Sequence, residues 1–166
     1  MDSSIQLERL QFIMMVDHNK FKAPILVTVS YFVMYYVFLY LQSAVGHIQF
    51  YLAKKKAKSE AEGKGEQPKK VSYAAIKYGS QSQDRLSLTA LRSIGNTMEQ
   101  AFPFLTALWL HAVFVSPERA AFIGWVYIAA RSYYPIGFYF GVPFVLFSTL
   151  PGYACIFLLF YEVVTK

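Results

Sequence analysis

Between Lys22 and Lys54 the chain carries no charged residue. At about 1.5 Å per residue, a helix over Ala23–Ala53 is longer than the ~30 Å of hydrocarbon that a bilayer presents. The stretch reads as a membrane-spanning helix. Its many aromatics, Tyr31, Phe32, Tyr35, Tyr36, Phe38 and Tyr40 among them, suit a helix packed against others. Its last turns, with His47 and Gln49, fall outside the hydrocarbon. Composition points the same way: 55% of the 166 residues are hydrophobic and only 16% charged, whereas soluble domains are about a quarter charged. Nothing apolar is left over for a separate soluble core.

Three further helices are expected. Residues 86–115 begin polar, with Arg92, Asn96 and Glu99, and end apolar in the run FPFLTALWLHAVFV. Ser116-Pro117-Glu118 then marks a restart: a capping serine, a proline at the first helical position and an acid in the first turn. The third helix is expected over 117–139, with Pro135 and Gly137 loosening its end. After the short turn Gly141-Val142-Pro143, the fourth runs over 143–164, kinked at Pro151-Gly152. The fold class is therefore an all-α integral membrane protein, a bundle of four transmembrane helices over residues 23–166. Residues 1–22 precede it as an extension broken by Glu8, Arg9, Asp17 and Lys20, which does not fit a signal peptide. Ile5, Leu10, Ile13, Met14 and Val16 could form one face of an interfacial helix there.

Most of the net charge of +6 lies between the first two helices, in residues 54–85. This stretch is rich in Lys, Glu and Gly and is too polar to fold alone. It reads as a basic loop obeying the positive-inside rule, a solvated tether near anionic lipid rather than a nucleic-acid surface or a specific site. Both termini then lie on the opposite side of the membrane.

Several chemistries are excluded. Cys155 is the lone cysteine, so intrachain disulfides and cysteine metal sites are impossible; it reads as a small buried hydrophobe. His18, His47 and His111 lack metal-ligand spacing and read as packed or interfacial residues. Phosphate loop, nucleophile elbow and nucleotide fingerprint are all missing. An ion channel or transporter is disfavoured, because one off-centre polar cluster offers no continuous polar path.

That cluster is the informative feature. Ionisable side chains inside a span are costly and face a partner or a cavity. Arg92, Asn96 and Glu99 fall at i, i+4 and i+7 on one face of the second helix. Arg131 lies inside the third, with Ser132, Tyr133 and Tyr134 beside it. Counted from the Ser116–Pro117 turn, Glu99 lies roughly 24 Å along one helix and Arg131 roughly 21 Å along the other, so they share a depth. Asn96 and Tyr134 come level one turn nearer the basic loop. A Glu99–Arg131 ion pair locking the helices together is one reading. The other is a ligand site, since Glu99 can neutralise only one arginine and the surplus positive charge suits an anion.

The run Arg92 to Leu105, RSIGNTMEQAFPFL, resembles the MAPEG family, the membrane-associated proteins of eicosanoid and glutathione metabolism. The matching pattern is Arg92, Asn96, Glu99 and Phe102-Pro103-Phe104, with Arg131 and Tyr134 in the third helix. The resemblance implies a homotrimer of four-helix subunits that binds glutathione between neighbours, near the cytoplasmic face. It implies that Arg92, Asn96, Glu99, Arg131 and Tyr134 contact the glutathione.

The chain also departs from that pattern. Phe138 stands where many catalytic members have a second tyrosine, and no Arg, Lys or His occurs between Arg131 and Lys166. Catalytic members place an arginine there that helps hold the glutathione thiolate. Ser148 to Tyr153 is similar to a Thr-Pro-Gly-Tyr stretch in the lipoxygenase-activating branch, whose members bind lipid without catalysis. The extension before the first helix is longer than usual. The expected function is thus a degenerate glutathione site on a non-catalytic accessory subunit of a larger membrane complex. The alternative is a microsomal glutathione transferase or peroxidase acting on lipophilic electrophiles. Expected partners are membrane lipids and either two further copies or the subunits of that complex, with no nucleic acid. The endoplasmic reticulum is the family's usual home, and a mitochondrial or plastid membrane is also open.

Overall fold

A computed structural model of the chain describes residues 3–74 and 84–166, with side chains from residue 19 onward. Helix accounts for 87% of it, and no strand occurs among the described residues. Among the described residues five helices with both ends defined follow in order: α1 (Ser3–Lys64), α2 (Arg85–Phe114), α3 (Pro117–Ser132), α4 (Tyr134–Phe140) and α5 (Leu146–Thr165). The four longer ones pack against one another, α1 on α2 and α3, and α5 on α2 and α3. Two stretches are long and apolar enough to cross a membrane, Asn19–Lys64 within α1 and Leu146–Thr165.

The buried positions show how the sequence dictates this packing. In α1, Pro24, Val27, Tyr31, Met34 and Phe38 turn inward at alternating spacings of three and four, the seam that interlocking helices require. In α2 the inward residues include Thr89, Ser93, Thr97, Gln100, Phe104, Ala107 and His111. The three hydroxyls each donate to the carbonyl four residues back, at 2.7–2.8 Å. Their polarity is thereby absorbed within the helix, and their small size lets neighbours approach. At the centre the rings of Phe104 and Tyr127 stack 3.7 Å apart, and Tyr31 packs on both. The Tyr31 hydroxyl donates to the Thr97 carbonyl at 2.6 Å. The outward faces carry Phe32, Tyr36, Tyr40, Phe102, Phe122, Phe147, Phe157 and Tyr161 in the open, far more apolar surface than a water-soluble monomer tolerates.

Three boundaries differ from those read off the sequence. Residues 3–22 are no separate element, because α1 starts at Ser3 and passes through Pro24; the side chains proposed for an interfacial face there, and that of His18, lie outside the described residues. Residues 54–64 are no loop, because α1 continues through them to Lys64, helped by Lys56–Glu60 and Lys58–Glu62 pairs at i,i+4. The third helix breaks at Tyr133. Pro135 has no N–H to give the Arg131 carbonyl, so the chain restarts there as α4.

At the α2–α3 turn, Ser116 caps α3 by accepting the Arg119 N–H at 3.2 Å. Buried Glu162 of α5 anchors the same end. It takes the Arg119 guanidinium through both carboxylate oxygens, His111 Nε2 at 3.0 Å and Lys166 Nζ at 3.3 Å. His111 is thus a packed residue fastening α2 to α5, and no metal-holding group of side chains occurs among the described residues.

Gly124 sits where three helices cross; a Cβ there would meet Val27 Cγ1 at 2.6 Å and Leu108 Cδ1 at 3.0 Å. Gly124→Val should lower stability by about 1–3 kcal/mol, read as a fall in the detergent unfolding midpoint. Gly95 has nothing within 4 Å of its Cβ position, and Gly95→Ala should be neutral or raise the midpoint.

Candidate functional site

Arg131, near the end of α3, is 1% exposed although it lies in the middle of the bundle. One Nη1 N–H donates to the Asn96 side-chain oxygen of α2. The guanidinium carbon lies 5.4 Å from the Tyr127 ring and 5.8 Å from the Tyr153 ring. Tyr153 in turn accepts from Gln100 Nε2 at 2.9 Å. On α5, Gly152 makes the room: a Cβ there would stand 3.0 Å from Arg131 Nε and 3.2 Å from Cζ and Nη2. The kink-prone pair Pro151-Gly152 is therefore also a cradle for the cation.

The hydrogen bonding around this cation is incomplete. Among the described residues, Arg131 Nε and Nη2, Gln100 Oε1 and Ser148 Oγ have no hydrogen-bond partner of good geometry, and the Tyr127 hydroxyl lies near the guanidinium without a well-aligned bond to it. Ser148 is one helical turn before Gly152, on the same inward face of α5. A buried guanidinium with two idle nitrogens carries a large desolvation cost that an anionic acceptor would offset. An acidic ligand with carboxylates fits such a donor set.

The five residues singled out in the sequence are not all brought together. Asn96 and Arg131 touch. Tyr134 is buried, stacked on Phe138 at 5.8 Å, and lies within electrostatic reach of Arg131, Arg92 and Glu99. Arg92 and Glu99 themselves are exposed on the outer side of α2. No Glu99–Arg131 ion pair forms among the described residues; Arg131 turns instead to Asn96. The reason is angular. At ~100° per residue Arg92 and Glu99 lie within about 20° of each other around α2, while Asn96 is ~40–60° away. Asn96 points into the bundle and the two charges point out of it.

Sequence reasoning passed over Tyr127 and Gln100. Tyr127 could have been found as the residue four before Arg131, on the same face. Gln100 follows Glu99 directly and is the next inward position after Thr97.

Because the cation is buried, removing its acceptor and removing the charge should have opposite consequences. Asn96→Leu leaves Arg131 without any partner and should cost about 1.5–3 kcal/mol. Arg131→Met keeps the bulk, removes the unmet donors and should be neutral or stabilising in the absence of ligand. Unfolding midpoints of the two variants in the same detergent check this.

A comparison with protein families matches residues 24–165 to the MAPEG family. No curated protein and no solved structure matches the chain. The match takes in α2, α3, α4 and α5 entirely and α1 from Pro24 onward, including Arg92, Asn96, Glu99, Arg131 and Tyr134. This all-helical chain with its buried Arg131 belongs to the MAPEG family.

Proposed function

We propose that the chain is a multi-pass membrane protein that binds glutathione without conjugating it, and serves as an accessory subunit of a larger membrane assembly. The observation that carries this reading is the buried Arg131 guanidinium, two of whose nitrogens find no acceptor among the described residues. Glutathione has two carboxylates, and one of them suits that donor pair. Arg92, Asn96, Glu99 and Tyr134 would hold the rest of the molecule.

Four spans follow if α2 and α3–α4 cross the membrane beside α1 and α5. Arg92 and Glu99 then stand on the outside of α2 near hydrocarbon depth. Charges do not remain against lipid, so a neighbouring subunit covers them. That neighbour is either a second copy in a homotrimer or another subunit of the assembly. The apolar outer faces supply the contact with membrane lipids. The host membrane is the endoplasmic reticulum or an organellar one.

Two features support the absence of catalysis. The Phe138 position offers no hydroxyl, and its ring packs on Tyr134. From Ser132 to Thr165 there is no cation at all, so only Arg131, already engaged with Asn96, could stabilise a thiolate from the α3–α5 side. The alternative, a glutathione transferase or peroxidase acting on lipophilic electrophiles, is favoured by the same idle donors, since a guanidinium beside a thiol favours its ionised form.

The test pairs an activity with a size. With glutathione and chlorodinitrobenzene the purified protein should give only the uncatalysed rate. After gentle extraction it should migrate well above a homotrimer, three times 19.0 kDa or about 57 kDa before detergent. Saturable conjugation lost in Arg131→Met, from a particle of trimer size, would establish the transferase instead.

A further inference from the structure

The part of α1 beyond the apolar run is half of a second site. After Lys64 the chain reverses at Gly65, whose φ of 66° is the left-handed conformation that favours glycine. The turn is closed by Glu66 N–H donating to the Ala61 carbonyl at 3.0 Å. The returning segment then runs back along the helix. Tyr73 stacks on His47 at 5.1 Å and meets the edge of Phe50 at 5.7 Å. Its hydroxyl lies 3.0 Å from where a Cβ on Gly46 would stand, so the small residue admits the ring. At ~3.3 Å per residue, residues 66–73 reach about as far as the ~27 Å of helix they retrace. The strap is therefore extended, and the far end of the connection is also fastened, by Gln49 Nε2 donating to Asp84 at 2.8 Å.

Between the helix and this strap lies a cleft of about 950 Å³. Lys54, Lys55 and Lys58 line one wall and Lys69 and Lys70 the other, over a floor that includes Phe50 and Tyr51. One acid, Glu62, lines it too, 3.7 Å from Lys58 and exposed. Five cations against one anion, converging from two walls, make a concentrated positive field in a concave site of ligand size.

The position along α1 says what kind of anion belongs there. Phe50 and Tyr51 are the last aromatics of the charge-free run, and Lys54 is the first charge after it. If α1 spans the membrane, the cleft lies just past the hydrocarbon, at the level of the headgroups. We propose that this cleft binds the headgroup of a multiply phosphorylated anionic phospholipid, held by Lys54, Lys55, Lys58, Lys69 and Lys70. The site is separate from the Arg131 cluster and needs no glutathione.

Native mass spectrometry of the whole protein in a neutral detergent tests it, with added phosphatidylinositol bisphosphate, phosphatidylcholine or soluble inositol trisphosphate. The expected result is retention of the bisphosphate lipid at least about tenfold better than phosphatidylcholine, with the soluble headgroup bound more weakly than the lipid. Lys69→Ser with Lys70→Ser should weaken retention roughly twenty-five-fold, at a factor of about five per lysine. Lys56→Ser with Lys64→Ser removes the same charge outside the cleft and should change it little. Equal losses in both double variants would mean diffuse attraction and overturn the site. So would equal retention of phosphatidylcholine, and soluble headgroup binding as tightly as lipid would overturn the lipid assignment.

Discussion

A guanidinium in the middle of a helical bundle is the constraint around which the other elements are arranged. Arg131 cannot leave the core without unpacking α3, since Tyr127, one turn before it, is locked in the stack with Phe104. The chain accommodates the charge in three ways: an amide acceptor from α2, aromatic faces from α3 and α5, and a glycine on α5 in place of any side chain. None of these supplies a negative charge. That leaves a packed helical core with a surplus of positive charge, which is why an acidic ligand is the simplest completion of it.

The two ends of the bundle treat charge differently. At the α2–α3 turn, Glu162 is surrounded by Arg119, His111 and Lys166, and its oxygens are fully engaged. That end is closed and fixes the relative height of α2, α3 and α5. Toward the other end the donors outnumber the acceptors, first at Arg131 and then, further out, in the lysine cleft between α1 and its strap. A closed, satisfied network gives rigidity; an open one gives capacity for a ligand.

Much of this was legible in residue order, and what was not has definable causes. The charge-free run from Ala23 to Ala53, the capped restart at Ser116 and the depth of Arg131 near the polar face of α2 all follow from spacing. Spacing along an axis yields depth but fixes the angle around the helix only loosely. Of the two readings of the cluster, the Glu99–Arg131 pair does not form, on that angle, by the ~40–60° that separates Asn96 from its charged neighbours. The helix break at Tyr133 was placed several residues late, because the missing N–H of Pro135 acts on the turn before it. The basic stretch looked like a tether because its composition is that of one. Its order comes from a few contacts, Tyr73 with His47 and Phe50 and the turn at Gly65, that composition does not register.

Calorimetric titration of the detergent-solubilised protein with reduced glutathione tests whether the uncompensated Arg131 cation makes a site for an acidic ligand. The native chain should give a saturable heat and Arg131→Met none, with the variant folded and as stable as the parent. Undiminished binding by Arg131→Met, or no binding by a native chain shown to be folded, would contradict it and leave Arg131 as a helix-packing residue only.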